Sequence, residues 1–156
     1  IINNGADKVL INYDIHSDQL INEIADLFGR QSITIAIDLI KKENEWYICK
    51  NGKIVSSNVF EYINKISKKR IAEIKITFIS NEGMKVGFEK EIIKKIKTEN
   101  KIPIIFEGGL GSLDHIDQAI NFGAESIALG EMIIFMDNNI FKIKKFLKNA
   151  NKNVRI

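Results

Sequence analysis

Strand-like and helix-like patterns alternate along the whole chain. Five apolar, β-prone segments are each followed by a segment whose apolar residues recur at helical spacing. The β-prone segments are 8–12, 32–38, 72–80, 103–107 and 125–130, and the helical segments are 17–29, 58–69, 87–100, 112–123 and 138–150. Nearly continuous apolar runs are typical of parallel strands that helices cover. The pattern therefore predicts an α/β fold built from parallel βα units.

A β-hairpin insertion is predicted at about residues 45–57, between the second strand and its helix. Two β-prone arms flank the dipeptide Asn51–Gly52, which favours a tight two-residue turn. Trp46 and Tyr47 on the first arm leave open a role as a lid over a site. A hairpin in this position is more often a structural cover, and the cover is the favoured interpretation.

A ten-residue pattern occurs twice, as NNGADKVLIN at 3–12 and as NFGAESIALG at 121–130. Each copy ends a helix at glycine and begins a strand after an acidic residue, and the two copies are four βα units apart. Four units are half a turn of a (β/α)8 TIM barrel. The repeat therefore favours a barrel over an open doubly wound sheet. The alternative is that Gly-Ala followed by an acidic residue is a favourable sequence for the C-cap of a helix and occurs twice by chance.

The barrel interpretation predicts that residues 1–156 form a single partial domain. The chain would supply strands four to eight, and the first three βα units would be missing. The first residue is isoleucine rather than methionine, which we take as a sign that the sequence begins inside a longer protein.

Composition restricts the partners of the chain. It has 156 residues, 45% hydrophobic and 28% charged, with a net charge of +3, as expected of a globular domain. The lysines are spread over predicted helix faces, so we expect no nucleic-acid partner. The single cysteine, Cys49, agrees with a reducing cytoplasm. No apolar run approaches the ~20 residues of a membrane span, so no membrane partner is expected.

The chemistry of a (β/α)8 barrel lies at the carboxyl ends of its strands. Asp38 ends an otherwise apolar run there, where partial burial can raise its pKa toward values useful for general acid–base catalysis. The alternative for Asp38 is a structural cap of the following loop. The sequence EGGLGS at 107–112 offers backbone N–H groups at the start of a helix, which favours a phosphate site. A second glycine-containing loop, 80–87, is long enough to fold over a ligand.

The two histidines and the single cysteine give no sign of a metal site. His16 lies in a loop at the carboxyl-end face and could contact a substrate, whereas His115 is expected on the surface of a helix. No Cys/His cluster has the spacing of metal ligands, and no Ser-His-Asp arrangement is evident. We therefore expect neither a metal nor a cofactor.

Four segments together resemble a known family, the cyclase subunit of imidazole glycerol phosphate synthase. They are residues 5–38, 73–89, 102–116 and the terminal NVRI at 153–156, and the resemblance covers nearly the whole chain in order. The isomerase that precedes this enzyme in histidine biosynthesis is a sibling with similar segments, but the NVRI ending fits the cyclase better.

The resemblance implies a (β/α)8 barrel with two-fold internal symmetry that forms a heterodimer with a glutaminase subunit. Ammonia from the glutaminase would pass through the barrel to a small phosphorylated substrate, a phosphoribulosyl formimino carboxamide ribotide. The cyclase would cleave this substrate and form imidazole glycerol phosphate, in the cytoplasm and without a cofactor.

The resemblance also implies roles for individual residues. Asp38 matches the second of two catalytic aspartates, and the first would lie on a strand that this chain lacks. Positions that match substrate or phosphate contacts are Asn12, Tyr13, Thr77, Glu82, Gly83, Gly108, Gly109, Gly130 and Glu131. Positions that match the ammonia gate and the glutaminase-binding face are Asp7, Lys8 and Glu73.

Several of these positions depart from the family pattern. Tyr13 replaces threonine, Ile40 a lysine and Glu82 an aspartate, while Glu107 and Glu131 replace serines near the phosphate. Like charges ~4 Å apart repel by ~4 kcal/mol at an effective dielectric of ~20. Either these glutamates turn away, or the seat does not hold phosphate.

Two further interpretations stay open. A divergent paralogue could act as an ammonia conduit and scaffold for sugar amidation in surface polysaccharide biosynthesis. Alternatively, the chain could be a fragment that self-associates, because strands four and eight would be unpaired edges.

Overall fold

The computed structural model describes residues 1–13, 17–134 and 139–154. Within these ranges the strands are β1 (Val9–Asn12), β2 (Ile33–Lys42), β3 (Glu45–Lys50), β4 (Lys53–Ser56), β5 (Glu73–Phe78), β6 (Ile104–Glu107) and β7 (Ser126–Ile127). The α-helices in the same ranges are α1 (Ser17–Phe28), α2 (Val59–Ser67), α3 (Lys90–Glu99), α4 (Leu113–Asn121), α5 (Glu131–Ile134) and α6 (Ile140–Asn149). Short 3₁₀ turns cover Ile2–Asn4 and Arg30–Ser32. The structure therefore has the alternation of strands and helices that the sequence predicts, with α5 as an additional short helix.

The sheet keeps the parallel strands in chain order. β1 pairs with β2, β2 with β5, β5 with β6, and β6 with β7, all in parallel. A doubly wound sheet reverses its strand order at a switch point, and no reversal occurs among these five strands. The prediction of an α/β fold with a largely parallel sheet is confirmed, and the sequential order is consistent with part of a (β/α)8 barrel.

The two copies of the repeated sequence adopt the same local structure. Gly5 and Gly123 both have left-handed backbones, with φ of 99° and 107°. Each glycine N–H donates to the carbonyl oxygen three residues earlier at 2.9 Å, on Ile2 and Ile120 respectively. Each glycine therefore closes a helical turn just before a parallel strand, the first strand in one copy and the fifth in the other.

The sheet has an apolar face and a polar face. On β2 and β5 the alternate residues Ile33, Ile35, Ile37, Leu39, Ile74, Ile76 and Phe78 are buried, in one cluster with helix residues such as Ile63 and Ile93. The intervening residues on these strands and on β6 include Thr34, Asp38, Glu73, Lys75, Thr77 and Glu107. Side chains alternate between the faces of a strand, so these polar groups share the opposite face. We call this surface the polar face.

The hairpin β3–β4 extends the carboxyl-terminal half of β2. β3 pairs antiparallel with residues 38–42 of β2. β1 pairs with residues 33–36 along the same edge of β2. Asn51 and Gly52 have φ of 49° and 75°, as the predicted two-residue turn requires. Trp46 packs edge-on against Phe78 with ring centroids 5.0 Å apart, and its Nε1–H donates to Glu89 Oε2 at 3.3 Å. These contacts favour a fixed cover over a mobile lid.

None of the helices in the described ranges is both long and apolar enough to cross a membrane.

Candidate functional site at the carboxyl ends of the strands

Asp38, Thr77 and Glu107 form one row across three neighbouring strands. Asp38 on β2 pairs in register with Thr77 on β5, and Thr77 pairs with Glu107 on β6. Parallel strands end at the same edge of a sheet, so three residues that are far apart in the chain meet on the polar face. The sequence predicts all three at this end of the sheet, and the register shows that they are direct neighbours.

Asp38 lies half-buried at a narrow cavity of about 40 Å³. Asn12, Tyr13 and Cys49 line the same cavity. Burial raises the pKa of the Asp38 carboxyl above its usual range, the nearby Lys75 ammonium partly offsets this effect, and Glu107 adds to it. A carboxyl group with a raised pKa exchanges its proton closer to neutral pH, which suits general acid–base catalysis.

Lys75 forms an ion pair with Glu107 beside Asp38. The Thr77 hydroxyl also donates a hydrogen bond to Glu107 Oε2 at 3.0 Å. The Glu107 carboxylate is therefore held by groups on the neighbouring strand. Sequence reasoning missed Lys75, although the alternation of Glu73, Lys75 and Thr77 along β5 could have placed it on the polar face.

A second cavity, of about 180 Å³, lies beyond the carboxyl ends of β5, β6 and β7. It is lined by Glu82, Gly83, Glu107, Gly108, Gly109, Leu110, Ala128, Leu129, Gly130 and Glu131. We call it the glycine pocket. Six of the ten residues predicted for catalysis or substrate binding line it. Asn12, Tyr13 and Asp38 line the first cavity, and Thr77 lies between Asp38 and Glu107 in the row described above.

Glu107 belongs both to the row with Asp38 and to the lining of the glycine pocket. Gly108 and Gly109, which follow it, have φ of 98° and 96°. A Cβ atom on Gly108 would lie 2.7 Å from the carbonyl oxygen of Phe78, and one on Gly109 would lie 2.7 Å from the Cβ of Asn81. Glycine is therefore required at both positions, and the turn packs directly against the end of β5.

The loop 79–89 is tied to this glycine turn. The Gly87 N–H donates to the Gly109 carbonyl oxygen at 2.9 Å, and the buried Asn81 donates from Nδ2 to the Gly87 carbonyl oxygen at 3.3 Å. His115 Nδ1 accepts from the Gly111 N–H at 3.3 Å. His115 is half-buried, so it lies deeper than the helix surface expected for it. A Cβ atom on Gly87 would lie 3.4 Å from the His115 ring, so the ring packs against the loop at Gly87.

Glu131 is also paired with a lysine. Its Oε1 lies 3.1 Å from the Lys85 Nζ, across the opening between loop 79–89 and the start of α5. Each of the two glutamates that replace serine in the family pattern thus has its own ammonium partner, Lys75 for Glu107 and Lys85 for Glu131. Glu82, on the same loop, is exposed.

Tyr13 contributes its ring to the Asp38 cavity, while its hydroxyl lies toward α1. The hydroxyl donates to Asp18 Oδ1 at 3.0 Å, and Asp18 also pairs with Lys69. Burial and the bond to Asp18 raise the pKa of Tyr13 above its usual range. The predicted substrate contact of His16 falls on residues 14–16, which lie outside the described residues.

The residues predicted for the ammonia gate lie at the amino ends of the strands. Lys8 Nζ is 2.9 Å from Glu73 Oε1, and the Thr34 hydroxyl donates to the same oxygen at 2.8 Å. Burial raises the pKa of Glu73, but the bonds from Lys8 and Thr34 outweigh it and hold the pKa below its usual range. Asp7 is exposed beside Lys8. The structure therefore places these residues at the end of the polar face opposite Asp38.

Among residues 1–13, 17–134 and 139–154, no group of three His, Cys, Asp or Glu side chains is placed to hold a metal ion.

Comparison with known proteins identifies similar sequences over the whole chain. The family model for histidine biosynthesis proteins matches residues 1–139. The chain is 32% identical to imidazole glycerol phosphate synthase subunit HisF of Flavobacterium johnsoniae, over 100% of this chain and 64% of that relative. It is 34% identical to subunit HisF of Helicobacter hepaticus, over 100% of this chain and 63% of that relative. The corresponding subunit of Campylobacter concisus is 33% identical, again over 100% of this chain and 63% of that relative.

The chain spans less than two thirds of the length of these curated relatives. The match to the family model nevertheless includes every parallel strand and the residues of both cavities. We conclude that the chain belongs to the histidine biosynthesis protein family.

Proposed function

We propose that this chain forms the carboxyl-terminal five βα units of a cyclase subunit of the imidazole glycerol phosphate synthase type. The observation that carries the proposal is Asp38, a half-buried carboxyl with a raised pKa at the carboxyl end of a parallel strand. Asp38 would move protons as the substrate, a phosphoribulosyl formimino carboxamide ribotide, is cleaved and the imidazole ring closes. The products would be imidazole glycerol phosphate and an aminoimidazole carboxamide ribotide.

The proposal places strands four to eight of a (β/α)8 barrel in residues 1–156. It is supported by the sequential order of the five parallel strands and by the share of the HisF relatives that the chain covers. The second catalytic carboxylate would come from the first strand of the barrel, which these residues do not include. We therefore expect Asp38 to be necessary for the reaction and not sufficient for it.

The ammonia for ring closure would come from a glutaminase subunit bound at the amino ends of the strands, in the cytoplasm. The Lys8–Glu73 pair, with Thr34, supplies charged groups at that end of the polar face. Asp7 is exposed beside them and available to a partner. Ammonia released there would travel along the polar face toward Asp38.

An activity assay tests the proposal. The chain is supplied with substrate and an ammonium salt, first alone and then together with the three amino-terminal βα units of the Flavobacterium johnsoniae relative. We expect imidazole glycerol phosphate to form only in the second case. Turnover by the chain alone would show that Asp38 needs no partner from other strands, and failure of a folded, complemented barrel would refute the cyclase function.

One observation favours a second candidate, an ammonia conduit and scaffold for sugar amidation. Glu107 and Glu131 both lie at the glycine pocket, and both are paired with lysines of this chain. Carboxylates therefore already occupy the lysines that a phosphate group would need. Stimulation of a glutaminase by the complemented barrel, without binding of the bis-phosphate substrate, would support the conduit. Binding of that substrate would support the cyclase.

A further inference from the structure

The glycine pocket has room for an anionic group. Its volume of about 180 Å³ compares with the ~10–15 Å³ that one water molecule needs. Three of its lining glycines, Gly83, Gly108 and Gly109, have left-handed backbones, which bring the main chain close to the space inside.

The Glu131 carboxylate lies at the opening of this pocket. Its Oε1 is 3.1 Å from Lys85 Nζ, and its Oε2 would lie 3.6 Å from a Cβ atom on Gly83. The carboxylate therefore stands between the glycine of loop 79–89 and the lysine of the same loop. It is an anion of the protein itself. Lys85 is one of two lysines that are paired with glutamates of the described lining, and the other is Lys75, which pairs with Glu107.

The backbone of Lys85 is held in place by its neighbours, whereas the side chains of its ion pair with Glu131 are partly exposed. Lys85 has a φ of 57°, and a Cβ atom on Gly111 would lie 2.4 Å from the Lys85 Cβ, so the stem of Lys85 fits only over a glycine. The loop is held by the bond between Gly87 and Gly109. The Lys85 and Glu131 side chains are 48% and 29% exposed, and exposed ion pairs contribute little stability. An incoming anion can therefore exchange with Glu131 without displacing the loop.

We propose that Glu131 is an internal counter-ion of Lys85, and that a phosphate group of the ligand displaces it. Lys85 then becomes a phosphate-binding residue, and the Glu131 carboxylate moves into solvent. A dianionic phosphate attracts the ammonium more strongly than a single carboxylate does, so the exchange favours ligands that carry a phosphate over ligands with one negative charge. This inference rests on the proposed function, since it takes the ligand to be phosphorylated.

The experiment measures binding of inorganic phosphate and of pyrophosphate to the full chain by isothermal titration calorimetry. We expect Glu131→Gln to lower the Kd for phosphate at least ~10-fold, because it removes the carboxylate that competes with phosphate for the Lys85 ammonium. Lys85→Met is expected to weaken phosphate binding in both the original and the Glu131→Gln background. The double variant should therefore bind phosphate as weakly as Lys85→Met does.

A matched pair elsewhere supplies the control. Lys97 and Glu125 form an ion pair of 2.8 Å that is not part of the pocket lining. Glu125→Gln should leave phosphate binding unchanged, and circular dichroism melts should show that all variants are folded. Unchanged affinity in Glu131→Gln, or full phosphate binding by Lys85→Met, would overturn the proposal.

The outcome is separable from that of the proposed function. Turnover by a complemented barrel with no response to these substitutions would refute the role of Glu131 and leave the cyclase function intact. The predicted changes in phosphate affinity without any turnover would support the exchange and refute the cyclase function.

Discussion

The surroundings of Asp38 on the polar face determine the pKa of its carboxyl group. Burial raises the pKa of its carboxyl, while Lys75 and Glu107 act on it in opposite directions. Because Lys75 is paired with Glu107, its ammonium is shared with a second carboxylate. Asp38 can therefore keep a raised pKa although a cation lies close by.

Replacing Asp38 with asparagine tests its catalytic role. We expect Asp38→Asn to lower kcat about 100- to 10,000-fold, the usual range for loss of a general acid or base. The measurement is product formation by the complemented barrel with saturating ammonium salt. Asp26→Asn is the control, because Asp26 lies on α1 in an exposed ion pair with Arg70. A loss below about fivefold in Asp38→Asn would show that Asp38 is structural.

The original protein and Asp38→Asn should also differ in how their stability depends on pH. A carboxyl whose pKa is higher in the folded state binds more protons when folded, so its favourable contribution is complete below the unfolded pKa. That contribution is lost as the pH rises through the raised pKa of Asp38. The unfolding free energy of the original protein should therefore fall relative to that of Asp38→Asn as the pH rises from about 3. Urea titrations at several pH values measure the difference, and a rise with pH would mean that Lys75 dominates instead.

At the scale of elements, two left-handed glycines in turns carry different constraints. Gly52 in the hairpin turn has a φ of 75° and open space where a Cβ would stand, whereas Gly108 after β6 would place its Cβ 2.7 Å from the Phe78 carbonyl oxygen. The first position requires only the backbone conformation. The second also requires the space.

Alanine substitutions at these glycines should separate the two effects. Gly52→Ala should reduce the free energy of unfolding by about 1–2 kcal/mol, the cost of a left-handed backbone for an ordinary residue. Gly108→Ala should reduce it by about 3 kcal/mol or more, because overpacking against β5 is added. Urea unfolding followed by the fluorescence of the single tryptophan, Trp46, measures both. Equal losses would contradict the close contact at Gly108.

The order of elements could be predicted because it depends on local patterns. The repeated glycines Gly5 and Gly123, the Asn51–Gly52 turn and the helical spacing each act within a few residues. The length of β2 could not be predicted in this way. It continues to Lys42, beyond the predicted end at Asp38, because β3 pairs with these last residues. β7 is shorter than predicted, since only Ser126 and Ile127 find partners on β6.

The candidate site was predictable in its positions and not in its pairings. Asp38 and the glycines after β6 follow from their place at strand ends. The partners of Glu107 come from β5, and the partner of Glu131 comes from loop 79–89. Such pairings depend on strand register and loop path, which no local pattern specifies.

At the scale of the whole molecule, the sheet has two outer parallel strands. In the described part of the chain, β1 pairs only with β2 and β7 only with β6. Large apolar side chains are exposed on β1 and on α6, among them Leu10 at 52% and Phe141 at 72%. Unpaired strand edges beside apolar side chains promote association with other chains. In a complete barrel, the first three βα units would cover both edges.

The final prediction concerns this exposure. We expect the isolated 156-residue chain to self-associate, and we expect the three amino-terminal βα units of a relative to convert it into a defined one-to-one complex. Sedimentation velocity measures both states. The double substitution Leu10→Lys and Phe141→Lys should reduce self-association, because it replaces exposed apolar side chains on β1 and α6 with charged ones. Val55→Lys is the matched control, since Val55 is 51% exposed but lies on the hairpin. A monomeric chain with cooperative unfolding would show that the five units form a closed structure by themselves, and the barrel completion proposed above would then be wrong.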